Sequence, residues 1–224
     1  MNATDQPTVL IGGKGNDIYM VLHEDDQVIE LAGEGVDEVR TVVSYTLPPH
    51  VENMSVYGPG SGTLVLTGNA LNNHIVGAPF SYETIYGLDG DDTLDGGGRH
   101  GGLLDGGNGN DRLIVSFGEL RGGPGADTFV AGGRGAMTAP DAAITVLDFN
   151  ANEGDRIEIK WPENLDAAAL FASGQLIFQP ETQRLIFTMD PVAFQTNPYA
   201  VEQIFLLPGV VTFDPSHVRV LPGP

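Results

Sequence analysis

A nine-residue unit recurs along this chain, and two thirds of each copy is turn. Residues 12–20 read Gly-Gly-Lys-Gly-Asn-Asp-Ile-Tyr-Met, which fits G-G-x-G-x-D-x-U-x with U a large apolar residue. Residues 106–114 and 122–130 fit in full. Residues 87–95 lack only the second glycine, and residues 32–40 only the first. Six residues of the unit make a tight turn and three make a short strand. The glycines permit backbone angles that a Cβ forbids and leave carbonyl oxygens directed into the turn. The apolar eighth residue points inward, so stacked copies build a continuous core. The pattern predicts an all-β fold with little helix: a parallel β-roll of stacked coils, closed by a C-terminal β cap.

The same turns concentrate oxygen. The sixth residue adds a carboxylate to the turn carbonyls, and two stacked turns together offer the six to eight hard oxygens that calcium prefers. The candidate metal ligands are Gly12, Lys14 and Asp17 in the first turn, and Gly33, Gly35 and Asp37 in the second. The later turns supply Gly87, Asp89, Asp91 and Asp92, then Gly106, Asn108, Asn110 and Asp111, then Gly122, Pro124 and Asp127. Asp148 and Asp155 are placed to close the last site. Alternate turns of a roll fall on opposite edges. Those starting at Gly68, Gly87, Gly106 and Gly122 share the acid-rich edge. Those starting at Gly77 and Gly96, with Ser116 to Leu120, share the poorer edge: the Gly77 turn offers only Glu83, the Gly96 turn has no carboxylate and carries Arg99, and Ser116 to Leu120 is too short for the turn. Metal is therefore expected along one edge, between the Gly87 and Gly106 turns and between the Gly106 and Gly122 turns. A further site is expected to join Asp17 and Asp37.

Charge supports the same partner. Asp and Glu number 30 against 10 Lys and Arg, a formal net charge of -20. That excludes nucleic acid, whose phosphates need a basic surface, and opposes an anionic membrane surface. Stacked carboxylates without cations repel one another. Ion binding to the folded state alone is folding free energy. The expected behaviour is a chain largely unfolded at cytosolic calcium and folded outside the cell. There are no cysteines, so disulfides and thiolate sites are excluded.

The repeats resemble those of the repeats-in-toxin (RTX) calcium-binding proteins. Residues 12–57 resemble a companion segment of such repeats. Leu66-Thr67-Gly68-Asn69-Ala70-Leu71-Asn72-Asn73-His74-Ile75 resembles the start of a repeat block. Val146-Leu147-Asp148-Phe149 through Gly154-Asp155-Arg156-Ile157 resembles the family's closing segment, and Leu176-Ile177-Phe178 with Leu185-Ile186-Phe187 its serralysin-type C-terminal strands. The resemblance implies calcium (Ca2+) as ligand, a secreted or cell-surface location, and export by type I secretion machinery through an uncleaved signal near residues 200–224. It divides the chain into irregular coils (12–62), a regular roll (63–136) and the cap (137–224), stacked as one body.

No catalytic centre is expected. His23-Glu24-Asp25-Asp26-Gln27 lacks the second histidine of a zinc-protease helix. Residues 96–101 match G-x-G-x-x-G, but Gly102-Leu103-Leu104-Asp105 follows where a nucleotide fold needs a helix. The five histidines are scattered. No apolar run is long enough to span a membrane, and residues 1–10 lack a signal-peptide pattern. Residues 161–171 are expected to form one short helix starting near Pro162 and capping the roll end, with Phe178, Phe187, Phe194, Tyr199, Phe205 and Phe213 in the cap's β core. Two readings of function remain. One is a non-catalytic secreted module, with cell-surface polysaccharide as a candidate partner at a face around Phe80, Tyr82, Arg99 and His100. The other is the calcium-binding domain of a larger secreted metalloprotease, lipase or polysaccharide epimerase.

Overall fold

The computed structural model describes residues 6–58, 62–78, 82–97, 102–131, 143–161, 165–187 and 203–222. Strands alternate between two sheets. The pairs are β1 (Val9–Ile11) and β2 (Ile18–Val21), β3 (Gln27–Ile29) and β4 (Glu38–Thr41), and β5 (Tyr45–Thr46) and β6 (Asn53–Val56). Next come β7 (Val65–Thr67) and β8 (His74–Val76), then β9 (Thr84–Asp89) and β10 (Thr93–Asp95). The roll continues through β11 (Leu103–Asn108), β12 (Arg112–Val115), β13 (Gly118–Arg121), β14 (Thr128–Ala131), β15 (Ile144–Val146) and β16 (Arg156–Trp161). The cap adds α1 (Ala167–Ser173), β17 (Leu176–Gln179), β18 (Arg184–Phe187), β19 (Gln203–Leu206) and β20 (Val218–Pro222).

The even-numbered strands other than β18 form one nine-stranded parallel sheet from β2 to β20. The other sheet runs from β5 through the odd strands to β15, then takes up β19, β18 and β17. The chain is thus a nearly all-β solenoid. The pairings β5–β7 and β6–β8 carry both sheets through the expected boundary at 62/63. The boundary at 136/137 lies outside the described residues. β1 and β3 form a separate two-stranded ladder, and the Tyr45 hydroxyl donates to the Asp26 carbonyl at 3.1 Å across the break between β3 and β5.

The eighth residue of each unit does what its period requires. In the even sheet, Tyr19, Val39, Met54, Ile75, Leu94, Leu113, Phe129, Ile157 and Val218 are in register and buried. Leu66, Ile85, Leu104, Leu120 and Val146 face them from the odd sheet. Each buried Leu or Ile side chain contributes roughly 1.5–3 kcal/mol.

Two expectations need correction. Trp161 belongs to β16, where it pairs with Pro222. The helix starts only at Ala167, with Asp166 as N-cap accepting from the Ala169 N–H at 2.7 Å and Gly174 closing it at φ 76°. The parallel ladder wins at Trp161 because strand pairing gives its backbone partners that a lone first helical turn leaves empty. Residues 162–164, and Phe80, Arg99, His100, Phe194 and Tyr199, lie outside the described residues; Tyr82 is exposed. Ser116 to Leu120 is not a turn in full: only Ser116 and Phe117 separate β12 from β13. No described helix is long and apolar enough to cross a membrane.

Candidate metal centre

The turns that lead from each odd to the next even strand, from β1–β2 through β15–β16, lie on one edge, and their last residue stands just before the even strand. These residues are Asp17, Asp37, Glu52, Asn73, Asp92, Asp111, Asp127 and Asp155. Most are linked by one repeated hydrogen bond. The backbone N–H of Asp17 donates to Asp37 Oδ1 at 2.8 Å, and that of Asp37 to Glu52 Oε2 at 2.9 Å. Asn73 donates to Asp92 Oδ1, Asp92 to Asp111, Asp111 to Asp127 and Asp127 to Asp155, at 2.6–2.9 Å. Each carboxylate therefore spends one oxygen on the coil before it.

The second oxygen is the informative one. Oδ2 of Asp17, Asp37, Asp92, Asp111 and Asp127 is buried without a hydrogen-bond partner. Asp37, Asp92, Asp111 and Asp127 are each 1% exposed, so water does not solvate them. An unpartnered buried carboxylate oxygen is costly unless a cation answers it. The first glycine of the unit makes room for it. A Cβ on Gly87 would overlap Asp92 Oδ2 and the Gly106 carbonyl oxygen. One on Gly106 or Gly122 would overlap the carboxylate of Asp111 or Asp127. These oxygens and the space beside them fit a hard cation.

A parallel set of contacts explains the fifth residue. Val36 N–H donates to Asn16 Oδ1, Asp91 N–H to Asn72 Oδ1, Asn110 N–H to Asp91 Oδ1 and Ala126 N–H to Asn110 Oδ1, at 2.7–3.1 Å. This ladder runs opposite to the first, so a consecutive Asn-Asp pair bonds to the coil before and the coil after. Asp89, Asp91, Asn108 and Asn110 thus form an exposed row; Asn108 Nδ2 donates to Asp89 Oδ1 at 2.7 Å. Carbonyls at the third position also serve the stack: Glu34, Asn108 and Pro124 accept from Gly15, Gly90 and Gly109. Coils approach so closely here that a Cβ on Gly109, at φ 141°, would overlap the Gly90 carbonyl. Leu88 stands where the repeat has its second glycine and takes φ 87° all the same, a conformation that costs about 1–2 kcal/mol.

Electrostatics follows from the burial. Desolvation pushes the Asp92 and Asp127 carboxyls up to about 7 and Asp111 up to about 6; the neighbouring acids add to the shift, and the backbone donors oppose it. Burial raises Asp155 as well. Its two oxygens are both engaged, accepting from the N–H of Asp127 and of Asn150. Asp148 likewise accepts from the Gly122 and Gly123 N–H groups at 3.0 and 2.9 Å. The structure therefore places these two acids as backbone anchors at the end of the row.

The first two coils bring together more than the repeat foretells. Ligand oxygens of Asp17, Glu30 and Asp37 lie within 4.8 Å of one another, a group able to hold a metal ion. Glu30 Oε2 is buried without a partner, while Oε1 accepts from the Tyr19 hydroxyl. Burial, then Glu30, raises the Tyr19 phenol strongly. Sequence reasoning joined Asp17 to Asp37 and missed Glu30 and Glu52. Glu52 was legible by counting back from the strand, since it directly precedes β6 as Asp37 precedes β4. Glu30 follows β3 outside the repeat, and only the folded turn brings it in.

No family model matches the chain, and no solved structure matches it. Among curated proteins, it is similar to the endo-1,3-1,4-beta-glycanase ExsH of Rhizobium meliloti, with 44% identity over 68 residues. That stretch is 30% of this chain and 14% of the glycanase, so the chain matches a small part of that protein's length.

Proposed function

We propose that this chain is a calcium-binding repeat module of the RTX kind that completes its fold when the cation binds. The observation that carries the reading is the row of buried, unpartnered Asp oxygens on one edge, each beside a glycine. Asp17, Glu30 and Asp37 would hold one ion, and Asp92, Asp111 and Asp127, with turn carbonyls such as Gly106, would hold others. Bound calcium would supply positive charge and oxygen coordination to carboxylates that burial otherwise keeps from ionising. The residues themselves contribute the rest: one oxygen of each acid locks coil to coil, and the other waits in a water-poor space. The module acts outside the cell, reached by type I export, where calcium is abundant. Its role is non-catalytic.

A second reading has its own support. The similarity to part of an endo-1,3-1,4-beta-glycanase favours a module that accompanies polysaccharide-directed chemistry in a longer protein. Far-UV circular dichroism during a calcium titration, with magnesium as control, tests the first reading. A coil-to-β transition specific to calcium is expected. A chain equally folded in chelator, with no change in stability on adding calcium, would sink it. Turnover of β-1,3-1,4-glucan by the isolated chain would overturn the non-catalytic assignment.

A further inference from the structure

At the end of the acid row, the segments 149–152 and 209–217 enclose a cleft of about 600 Å³. One wall is aromatic, with Phe149 buried at its base in the core and Phe213 and His217 half-buried above it. The Phe149 and Phe213 ring centroids lie 5.5 Å apart, and His217 stands steeply inclined to both at 6.3 and 6.1 Å. Phe178, which does not line the cleft, stacks on Phe213 at 5.6 Å. Rings held in this way lose little freedom when a ligand covers them. The remaining lining is polar, from Asn150, Asn152, Thr212 and Asp214. Asn150 Oδ1 accepts from Asn152 N–H at 3.1 Å and Asp214 Oδ1 from Ser216 N–H at 2.8 Å. Amide, hydroxyl and carboxylate groups each retain further donor or acceptor capacity.

We propose that this cleft binds a neutral saccharide. A sugar ring has one apolar C–H face and a rim of hydroxyls, and the cleft divides into an aromatic wall and a hydrogen-bonding wall. Its volume falls in the range of small-ligand sites, roughly 300–1,000 Å³. Anionic sugars are opposed. Among the described residues no Lys or Arg lines the cleft, and the Ser216 N–H holds the Asp214 carboxyl below its ordinary range, hence ionised. The cleft is also tied to the acid row, because Asp155 accepts from Asn150 N–H at 2.7 Å with one oxygen and from Asp127 N–H with the other. The proposal rests on these walls and not on the calcium reading.

The test is an NMR titration of the full chain in calcium, following the Phe213 and His217 ring protons. The probes are cellotetraose, laminaritetraose and mannotetraose, with trigalacturonate as the anionic comparison. Saturable shifts with at least one neutral probe and none with the anion are expected. The exposed pair N152A/T212A should weaken binding about tenfold, equivalent to ~1.4 kcal/mol, and F213A should abolish it. Circular dichroism of the same samples reports folding separately. A folded chain showing no saturable shift with any neutral probe up to about 10 mM overturns the cleft and leaves the calcium reading intact. Unchanged affinity in N152A/T212A, or preference for the anion, also overturns it. Sugar binding by a chain that does not respond to calcium would remove the calcium reading alone.

Discussion

Asp111 and Asp155 occupy the same position in their turns and do different work. Asp111 has one oxygen on the Asp92 N–H and the other unpartnered. Asp155 has both on backbone donors. Replacing Asp111 by Asn keeps the accepting oxygen and removes a buried negative charge. D111N should therefore be at least as stable as the parent in chelator, yet bind calcium at least about tenfold more weakly. In D155N the new NH₂ faces a backbone N–H, so about 1–3 kcal/mol should be lost with or without calcium. Thermal unfolding in chelator and in saturating calcium distinguishes the two. Equal behaviour of the variants would show that the unpartnered oxygen is not a ligand.

At the scale of the coil, the turns ending at Asn73, Asp92, Asp111 and Asp127 keep one length and the opposite edge absorbs the variation between them. Successive rungs are separated by 19, 19 and 16 residues from Asn73 to Asp127, and by 20 and 15 residues from Asp17 to Glu52. The shortened coil before Asp127 loses its residues at Ser116 and Phe117, on the other edge. Stacking distance on the acid edge is what forbids side chains. G109A should cost about 3 kcal/mol, from a disfavoured φ and a collision with the Gly90 carbonyl. G33A, at φ 79° with nothing within 4 Å, should cost only about 1 kcal/mol. Urea unfolding in saturating calcium measures both. Similar losses would mean that backbone angle, and not coil contact, sets the requirement. These positions are legible in the repeat itself, whereas the shared use of Asn and Asp side chains by coils on either side becomes visible only with the stack built.

Across the whole molecule, the raised Asp92, Asp111 and Asp127 make folding depend on pH. Their ordinary value is 3.8, and in the fold they reach about 7, 6 and 7. Between these limits the folded chain holds protons that the unfolded chain has released, so stability falls as pH rises. In chelator, the unfolding midpoint should drop from pH 5 to pH 7.5 and level off above. With saturating calcium this fall should vanish, because the metal displaces those protons and leaves the folded and unfolded chains alike in proton content above pH 5. A chelator profile that rises toward pH 7.5 would contradict the burial of this row.

The nonapeptide determined the all-β class, the two-sheet solenoid, the inward eighth residue and the single acid-rich edge, because a strict period carries its own geometry. Asp92, Asp111 and Asp127 were legible for the same reason. The period says nothing of groups outside it. Glu30 meets Asp17 and Tyr19 only because β3 folds beside β1. Trp161 joins a strand because β20 returns to pair with it across a long stretch of chain. Asp148 and Asp155 look like further ligands, yet backbone N–H groups occupy all four of their oxygens: those of Gly122, Gly123 and Asp127 from the turn before, and that of Asn150 from the last turn itself. Local chemistry decides which oxygens exist along the chain; tertiary structure decides which are spent on neighbouring coils and which are left to bind a cation.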